Sequence, residues 1–189
     1  MSENTQLEGA NEKTPSVKDE IFDWVQNLTV ILSVIVLIFI FLFRIVGVKG
    51  DSMYPTLHDK DWLITSNLFY EPENGDIVIL SKESFHDGEM IVKRIIATEG
   101  QEIDIDFSKG IVYVDGVALD EPYIADKTRV QFDTEFPAIV PEDCVFVMGD
   151  NRNHSADSRD ASIGMVHKSN IHGRVILRVF PLQNFGTVK

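Results

Sequence analysis

Apolar and polar positions divide the chain into three parts. Residues 24–43 form a run of 20 residues without a charge, and a helix rising about 1.5 Å per residue covers the roughly 30 Å bilayer core at that length. A polar, acidic stretch with Pro15 precedes it and is typical of a disordered tail. Short runs rich in Val and Ile follow it and predict β-strands. We therefore predict a tail over residues 1–20, a transmembrane helix over 21–44 and a β domain over 45–189.

Seven runs after the apolar segment have the length and the residue types of strands. They cover residues 62–66, 76–80, 90–98, 102–106, 111–114, 144–148 and 173–180. Asp115-Gly116 follows the fifth run and predicts a two-residue hairpin, since both positions of such a turn favour positive φ. Three prolines and many charges lie in 120–143, so we interpret the region from about 107 to 143 as a smaller cap or insertion. The predicted fold class is mostly β.

Two other interpretations of the apolar run are less consistent with its sequence. A cleavable signal has an apolar region of about 7 to 15 residues and a basic start, whereas this run is longer and starts acidic. A buried core helix would carry a polar stripe, but Gln26, Asn27, Thr29 and Ser33 lie toward one end only. We therefore predict an uncleaved anchor. Basic residues flank both ends equally, so charge does not decide its orientation.

Composition excludes several functions. The chain has 30 acidic and 17 basic residues, a net charge of −13, and such a surface repels nucleic-acid phosphates. Its single cysteine, Cys144, lies in an apolar run and cannot form an internal disulfide. We expect no nucleic-acid partner, no cofactor and no metal.

Ser52 is the first candidate for chemistry. It stands in VKGDSMYPTL, residues 48–57, a turn-prone stretch that leaves a serine exposed with its own N–H pointing outward, as a nucleophile with an oxyanion donor requires. The segment from Phe43 to Ser52 spans about 30 Å at most, which places this serine near the membrane surface. Taken alone the motif is weak, because most Gly-Asp-Ser triplets are simple turns.

Lys93 is the candidate base. In a strand it shares a face with Ile91 and Ile95, and apolar cover disfavours the charged ammonium, so that a neutral amine could take a proton from serine. The alternative is a strand lysine whose stem packs while its amine reaches water, and the strand pattern alone favours this alternative. The five histidines, His58, His86, His154, His167 and His172, lie in polar, loop-like stretches typical of the surface.

The stretch MGDNRNHSADSRD, residues 148–160, follows an apolar strand and has the composition of a loop bonded to itself. Asp157 is spaced to pair with Arg159, and Asp150 is spaced to pair with Arg152. A calcium loop is the main rival. It is excluded because an arginine stands two positions after each of these aspartates, where oxygen ligands would be needed.

Three stretches together resemble the type I (leader) signal peptidases, membrane-bound serine–lysine proteases that remove signal peptides from secreted proteins. GDSMYPTL, VKRIIATEG and GDNRNHSADSR correspond to the nucleophile, lysine and glycine-aspartate-asparagine-arginine boxes, in the family's order behind an anchor. They span residues 48–159. The resemblance implies a signal-peptidase-like β-sheet or barrel catalytic domain of the compact, single-anchor Gram-positive type.

The resemblance also implies a role for each site residue. Ser52 would be the nucleophile, Lys93 the general base, and Ser155 would orient the lysine amine by a hydrogen bond. The residues that would hold the loop under the site are Asp150, Arg152, Asp157 and Arg159. The residues assigned to the turn and the substrate pocket are Val48, Met53 and Val92. Gly50 stands where some members have a serine that helps to hold the oxyanion, so the second oxyanion donor stays open.

The implied function is cleavage of secretory precursors after a small-x-small motif. The implied location is the cell membrane, with a single-pass anchor in the lipid bilayer, a cytoplasmic N-terminus and an extracellular catalytic domain. Two rivals keep a related fold. A self-cleaving repressor of the SOS type is soluble and has a DNA-binding region, whereas this chain has an anchor. A pilus assembly factor that has lost catalysis would be expected to lack the serine or the lysine, and both are present here.

Overall fold

A computed structural model describes residues 17–85 and 88–188. The chain divides into two units, one ending at Phe41 and the other beginning at Leu42. The first contains all but the last residue of helix α1, Val17–Leu42, which is long and apolar enough over Glu20–Leu42 to cross a membrane. Its start lies four residues before the predicted boundary, so residues 17–20 are helical rather than part of the tail. Acidic residues in a first turn interact favourably with the helix dipole, which is consistent with this earlier start. The rest of the predicted tail, 1–16, lies outside the described residues.

The second unit is mostly β, as the sequence predicts. Over its described residues the eleven strands are β1 Arg44–Gly47, β2 Trp62–Ser66, β3 Ile77–Leu80, β4 Ile91–Thr98, β5 Glu102–Asp106, β6 Ile111–Val114, β7 Val117–Ala118, β8 Ala138–Ile139, β9 Cys144–Met148, β10 Val166–His167 and β11 Ile171–Phe180. Four of them, β2, β5, β6 and β9, have the bounds predicted from the sequence. β1 begins at Arg44, which the sequence assigned to the membrane helix.

Seven strands form one antiparallel sheet in the order β1-β2-β11-β3-β4-β9-β10. Register shifts interrupt β11 against both of its neighbours, and a further shift interrupts β4 against β9. Because such irregularities bend a strand and increase its twist, they account for the curled, half-barrel form of this sheet.

The remaining strands form a smaller sheet in the order β7-β6-β5-β8. Asp115 and Gly116 both have positive φ, 51° and 74°, and join β6 to β7, which confirms the predicted hairpin. Most of the region predicted as a cap or insertion lies in this sheet and in the irregular chain before β8. The sheet also includes β5, so it begins before residue 107.

Both faces of the curled sheet are covered. Along β3, Ile77 and Ile79 belong to one apolar cluster, which also contains Val48 and Met53. The alternate residues of β3 belong to a second cluster on the other face. A third cluster joins β4 and β9 to the smaller sheet. The two sheets therefore share a core, and the segments that carry the candidate site residues are anchored to it.

Candidate active site

Ser52 lies in a turn that is closed by backbone hydrogen bonds and anchored by apolar side chains. Val48 and Asp61 begin and end the turn, with the Val48 N–H donating to the Asp61 carbonyl over 2.8 Å. Met53 and Leu57 are 1% and 0% exposed and hold the turn against the sheet, while Ser52 stays half-buried beside the cleft. The two apolar anchors therefore explain why a polar turn keeps one fixed conformation.

Gly50 allows the bend before Ser52, since its φ of +79° lies in a region that side chains disfavour. Its N–H donates to Asp59 Oδ1 over 3.0 Å. While this N–H donates to Asp59, it cannot donate to an oxyanion. Gly50 therefore does not provide the expected oxyanion support through its N–H in this conformation.

Lys93 lies next to Ser52, and the two side chains meet. The distance from Lys93 Nζ to Ser52 Oγ is 2.9 Å, with the ammonium as donor. Lys93 pairs with Val78 of β3, and Ile91 and Ile95 flank it on the same face. The lysine is 3% exposed. The alternative of a lysine whose amine reaches water is therefore wrong, and the predicted apolar cover is confirmed.

Burial sets the protonation of Lys93. The loss of hydration lowers the pKa of this lysine from 10.5 to about 8, while the negative charges of Asp157 and Asp150 act in the opposite direction. The positive charge of Arg159 lowers the pKa further. Near neutral pH roughly a tenth of the chains therefore carry a neutral amine at this position, where an exposed lysine would be almost wholly charged.

Asp150 joins the strand of Lys93 to the turn of Ser52. Its two carboxylate oxygens accept from Arg94 Nε and Nη2 over 2.8 and 2.7 Å, and Oδ2 also accepts from the Thr56 hydroxyl over 2.5 Å. Arg94 and Asp150 are buried. The predicted pairing of Asp150 with Arg152 is wrong, because the neighbour of Lys93 on β4 supplies the guanidinium.

Arg152 points away from Asp150 toward the segment before β8. Its guanidinium donates to Glu121 Oε1 over 2.6 Å and to the Thr128 hydroxyl over 3.0 Å, while its Nε donates to the Gly149 carbonyl. The ring of Tyr123 lies between the two arginines, with its centroid 3.9 Å from Arg94 Cζ. The long segment before β8 thus supports the polar loop that follows β9 by contacting Arg152 and Arg94.

The pairing of Asp157 with Arg159 is confirmed. Arg159 Nε and Nη2 each lie 2.8 Å from an oxygen of Asp157, and Arg159 also donates to the carbonyls of Val130 and Arg152. Asp157 accepts in addition from the Gly149 N–H over 3.1 Å. Within the described residues, every buried side-chain nitrogen or oxygen has a hydrogen-bond partner. This loop is therefore a fully satisfied polar network, which makes it rigid.

The same loop holds the backbone around the serine. The Asn151 N–H donates to the Ser52 carbonyl and the Asn151 amide to the Asp51 carbonyl, each over 3.0 Å. Gly149 packs so closely that an added Cβ would overlap with the Ser155 hydroxyl and the Ser52 carbonyl. Ser155 is buried, and its hydroxyl donates to the Ala156 carbonyl over 3.2 Å. The bond from Ser155 to Lys93 is thus not formed in this conformation, although the hydroxyl lies beside the site.

A cleft of about 310 Å³ opens beside Ser52. Val48, Met53 and Val92, the three residues assigned to the substrate pocket, all line it. One wall is formed by the end of β1 and the residues after it, and the other by residues 89–92. The cleft therefore brings the predicted pocket residues together with the serine.

Several residues of the site were not identified from the sequence. They are Thr56, Arg94, Glu121, Tyr123 and Asn151. Of these, Arg94 had a signal, because it directly follows Lys93 in a run that the pattern predicts to be buried and a buried guanidinium needs a carboxylate partner. Of the five histidines expected at the surface, His58, His154 and His167 are exposed, His172 is half-buried, and His86 lies outside the described residues.

Known proteins resemble this chain over most of its length. A model of the family described as signal peptidase, peptidase S26, matches residues 21–180. The chain is 37% identical to the probable signal peptidase I-1 of Synechocystis sp., with 74% of this chain and 72% of that protein covered. It is 36% identical to signal peptidase I S of Bacillus subtilis, with 84% and 88% covered. It is 34% identical to a signal peptidase I of Bacillus amyloliquefaciens, with 97% and 100% covered.

A crystal structure of a signal peptidase I from Enterococcus faecalis is also similar, with 27% sequence identity and a TM-score of 0.44. The similarity covers 56% of this chain and 97% of that one. The match to the family model extends over far more than half of the present chain.

The family match defines a peptidase, and one helix among the described residues is long and apolar enough to cross a membrane. The chain belongs to the signal peptidase family, peptidase S26, as a bacterial type I member. It is thus a hydrolase that cleaves signal peptides, and the resemblance of its three boxes to this family is confirmed.

Proposed function

We propose that Ser52 and Lys93 are a catalytic dyad and that this enzyme cleaves secretory precursors after a small-x-small motif. The single observation that carries this proposal is the 2.9 Å contact between Ser52 Oγ and Lys93 Nζ, with the amine buried. When the lysine is neutral, the direction of this hydrogen bond reverses and the serine hydroxyl donates to the amine. That is the arrangement from which a proton can be transferred.

Two strand edges meet the cleft where the precursor would bind. β1 is an edge strand of the sheet, and residues 91–93 of β4 pair with β3 on one side while pairing with β9 starts at Arg94. An extended peptide between these edges gains main-chain hydrogen bonds, and alternate side chains enter the cleft. Val48 and Val92 leave room there for alanine-sized side chains.

The reaction proceeds in two steps. Lys93 takes the Ser52 proton as Oγ attacks the scissile carbonyl, then donates that proton to the leaving amine as the carbon–nitrogen bond breaks. A water molecule hydrolyses the resulting ester, with Lys93 again as the base. The Ser52 N–H makes no hydrogen bond with another described residue and is available to the oxyanion.

The polar loop acts as the support of the dyad. Asp150 and Asp157 moderate the fall in the pKa of Lys93, so the lysine still accepts a proton readily. Arg152 and Arg159 fix the loop through buried bonds to carbonyls. Ser155 orients the amine once its hydroxyl turns from Ala156 toward Lys93.

Replacement of either member of the dyad tests the proposal. We expect Ser52→Ala and Lys93→Met to abolish cleavage of a precursor peptide by the full chain in detergent, while the thermal unfolding of both variants stays cooperative. Lys109→Met is the matched control, since it removes an exposed lysine from a turn outside the cleft. Unimpaired turnover by the Lys93 variant would end this mechanism, and so would a wild-type chain that binds the peptide without cleaving it.

The helix anchors the enzyme in the lipid bilayer, with the N-terminus in the cytoplasm and the catalytic domain outside. Basic residues flank both ends of the helix in equal numbers, so charge does not decide this orientation. The orientation is therefore taken from the family resemblance. Protease added to intact cells should degrade the domain that begins after Leu42. A protected domain would reverse the orientation.

A further inference from the structure

An exposed ion pair bridges the two walls of the cleft. Lys49 follows Val48 on one wall, Glu89 lies on the other, and Lys49 Nζ is 2.9 Å from Glu89 Oε1. The side chains are 86% and 48% exposed, so the pair lies at the mouth of the cleft and not in its floor. Ser52 lines the same cleft. A peptide that binds between the walls therefore either lies beneath this ion pair or separates its two members.

The contact with Glu89 keeps the Lys49 amine charged. The hydrogen bond and the charge of Glu89 raise the pKa of Lys49 above its ordinary value, whereas burial lowers that of Lys93. Exposed ion pairs are weak and open easily, and a competing charge can displace either member. A charged substrate residue can therefore open the pair, and the pair does not block the cleft.

The alternation of an extended peptide decides which substrate residue meets the pair. Successive side chains of a strand point to opposite faces. When the two small residues of the motif point into the cleft beside Val48 and Val92, the residue between them points toward the mouth. That is where the exposed Lys49 and Glu89 meet.

We propose that Lys49 and Glu89 are specificity-determining residues, a charged clasp that selects the residue between the two small residues of the cleaved segment. This inference rests on the proposed function and deepens it. An uncharged residue leaves the pair intact, while an acidic one displaces Glu89 from Lys49 and a basic one displaces Lys49 from Glu89. The clasp therefore favours segments whose central residue is neutral.

The two single variants should shift specificity in opposite directions. Glu89→Gln frees the Lys49 ammonium, so peptides with a central glutamate gain. Lys49→Gln removes the ammonium that competes for the Glu89 carboxylate, so peptides with a central lysine gain. The charge-reversed double variant Lys49→Glu/Glu89→Lys restores a pair and should return the specificity to that of the wild type.

Three precursor peptides that differ only in the central residue, alanine, glutamate or lysine, provide the test. We expect the ratio of kcat/KM for the glutamate peptide to that for the alanine peptide to rise about two- to fivefold in Glu89→Gln. The same rise should occur for the lysine peptide in Lys49→Gln. Both changes should shrink in 1 M salt, because salt screens exposed charges. Lys109→Gln, which removes an exposed pair of 2.8 Å outside the cleft, is the control and should leave the ratios unchanged.

The outcomes separate this inference from the function on which it rests. Equal effects of each variant on all three peptides would overturn the clasp while leaving the protease in place. Failure of the wild type to cleave the alanine peptide, or cleavage of it by Ser52→Ala, would overturn the proposed dyad itself. A gain for glutamate in Lys49→Gln would have the wrong sign and would also overturn the clasp.

Discussion

Lys93 Nζ lies 2.9 Å from Ser52 Oγ, and it does so on a side chain that is only 3% exposed. Contact with the serine and removal from water are both required of a lysine that acts as a base. The contact gives the proton a short path, and burial makes the neutral amine accessible near physiological pH. The predictions below test each of these properties and the support around them.

The activity should follow the titration of Lys93. In the proposed mechanism the neutral amine is the active form, and its pKa is lowered to about 8, so kcat/KM should rise with pH and level off above this value. Well below pH 8 the fall should be about tenfold per pH unit. A pH profile with a peptide substrate measures this. A midpoint near 10.5 would indicate a hydrated lysine, and one near 6.5 would indicate a histidine.

The free energy of unfolding should also depend on the titration of Lys93, and it should rise with pH. Between pH 8 and 10.5 the unfolded chain holds a proton on Lys93 that the folded chain has lost, so the free energy of unfolding rises with pH across this window. The rise is worth about 3 kcal/mol at most. Below pH 8 the folded state bears the full cost of a buried ammonium.

Chemical denaturation of the full chain in detergent at pH 7.5 and pH 10 measures this effect. Lys93→Met removes the rise, so the difference in stability between this variant and the wild type should change by about 2 kcal/mol between the two pH values. The subtraction cancels all other groups that titrate in this range. A difference that is independent of pH would show that the pKa of the folded lysine is not lowered.

Gly149→Ala should impair catalysis more than folding. The new Cβ would overlap with Ser155 Oγ and the Ser52 carbonyl, so the serine has to move. A shift of about 1 Å at a reacting group costs on the order of 100-fold in rate, and overpacking costs about 1 to 3 kcal/mol in stability. The rate measured with a peptide and the thermal midpoint separate the two effects.

Gly47→Ala is the control for stability, because nothing lies within 4 Å of the Cβ it would add. It should unfold at nearly the wild-type temperature. If Gly149→Ala cleaved peptides at the wild-type rate, the close approach of this loop to the serine would have no part in catalysis.

Loss of Arg94 should strongly destabilise the domain. Arg94→Met leaves the Asp150 carboxylate buried without its guanidinium, which costs about 3 to 5 kcal/mol. The double variant Arg94→Met/Asp150→Leu removes both charges and should recover a large part of this loss. Denaturant unfolding of four chains, the wild type, Arg94→Met, Asp150→Leu and the double variant, measures the coupling, and simple additivity would contradict it. Lys168→Met, which removes a partly exposed pair with Glu99, should have a much smaller effect.

Local patterns predicted much of this fold. The strands β2, β5, β6 and β9 begin and end where alternating or continuous apolar runs do, and Asp115-Gly116 forms the hairpin that its residue types require. Three strands were missed: β8 and β10 have two residues each and carry no periodicity, and β1 directly follows the apolar run, to which its first residue was assigned. Their existence depends on the partner strand rather than on their own sequence.

In the site, too, local sequence indicated some features, while contacts between residues far apart along the chain were missed. The turn and the strand made Ser52 and Lys93 candidates, but their roles were assigned only through the resemblance of three stretches to a known family. The partner of Asp150 was predicted from local spacing, and that prediction was wrong, since Arg94 is 56 residues away along the chain and only the pairing of β4 with β9 brings it near. Glu121 and Thr128 were missed for the same reason, because no spacing rule connects them to Arg152.

One further consequence follows from the contacts of residues 149–151. Asn151 holds the carbonyl of Ser52, and Asp150 holds the arginine next to Lys93. The two contacts lie on adjacent residues of one segment. A one-residue insertion or deletion there would therefore displace the donor to the Ser52 carbonyl and the carboxylate that binds Arg94 together.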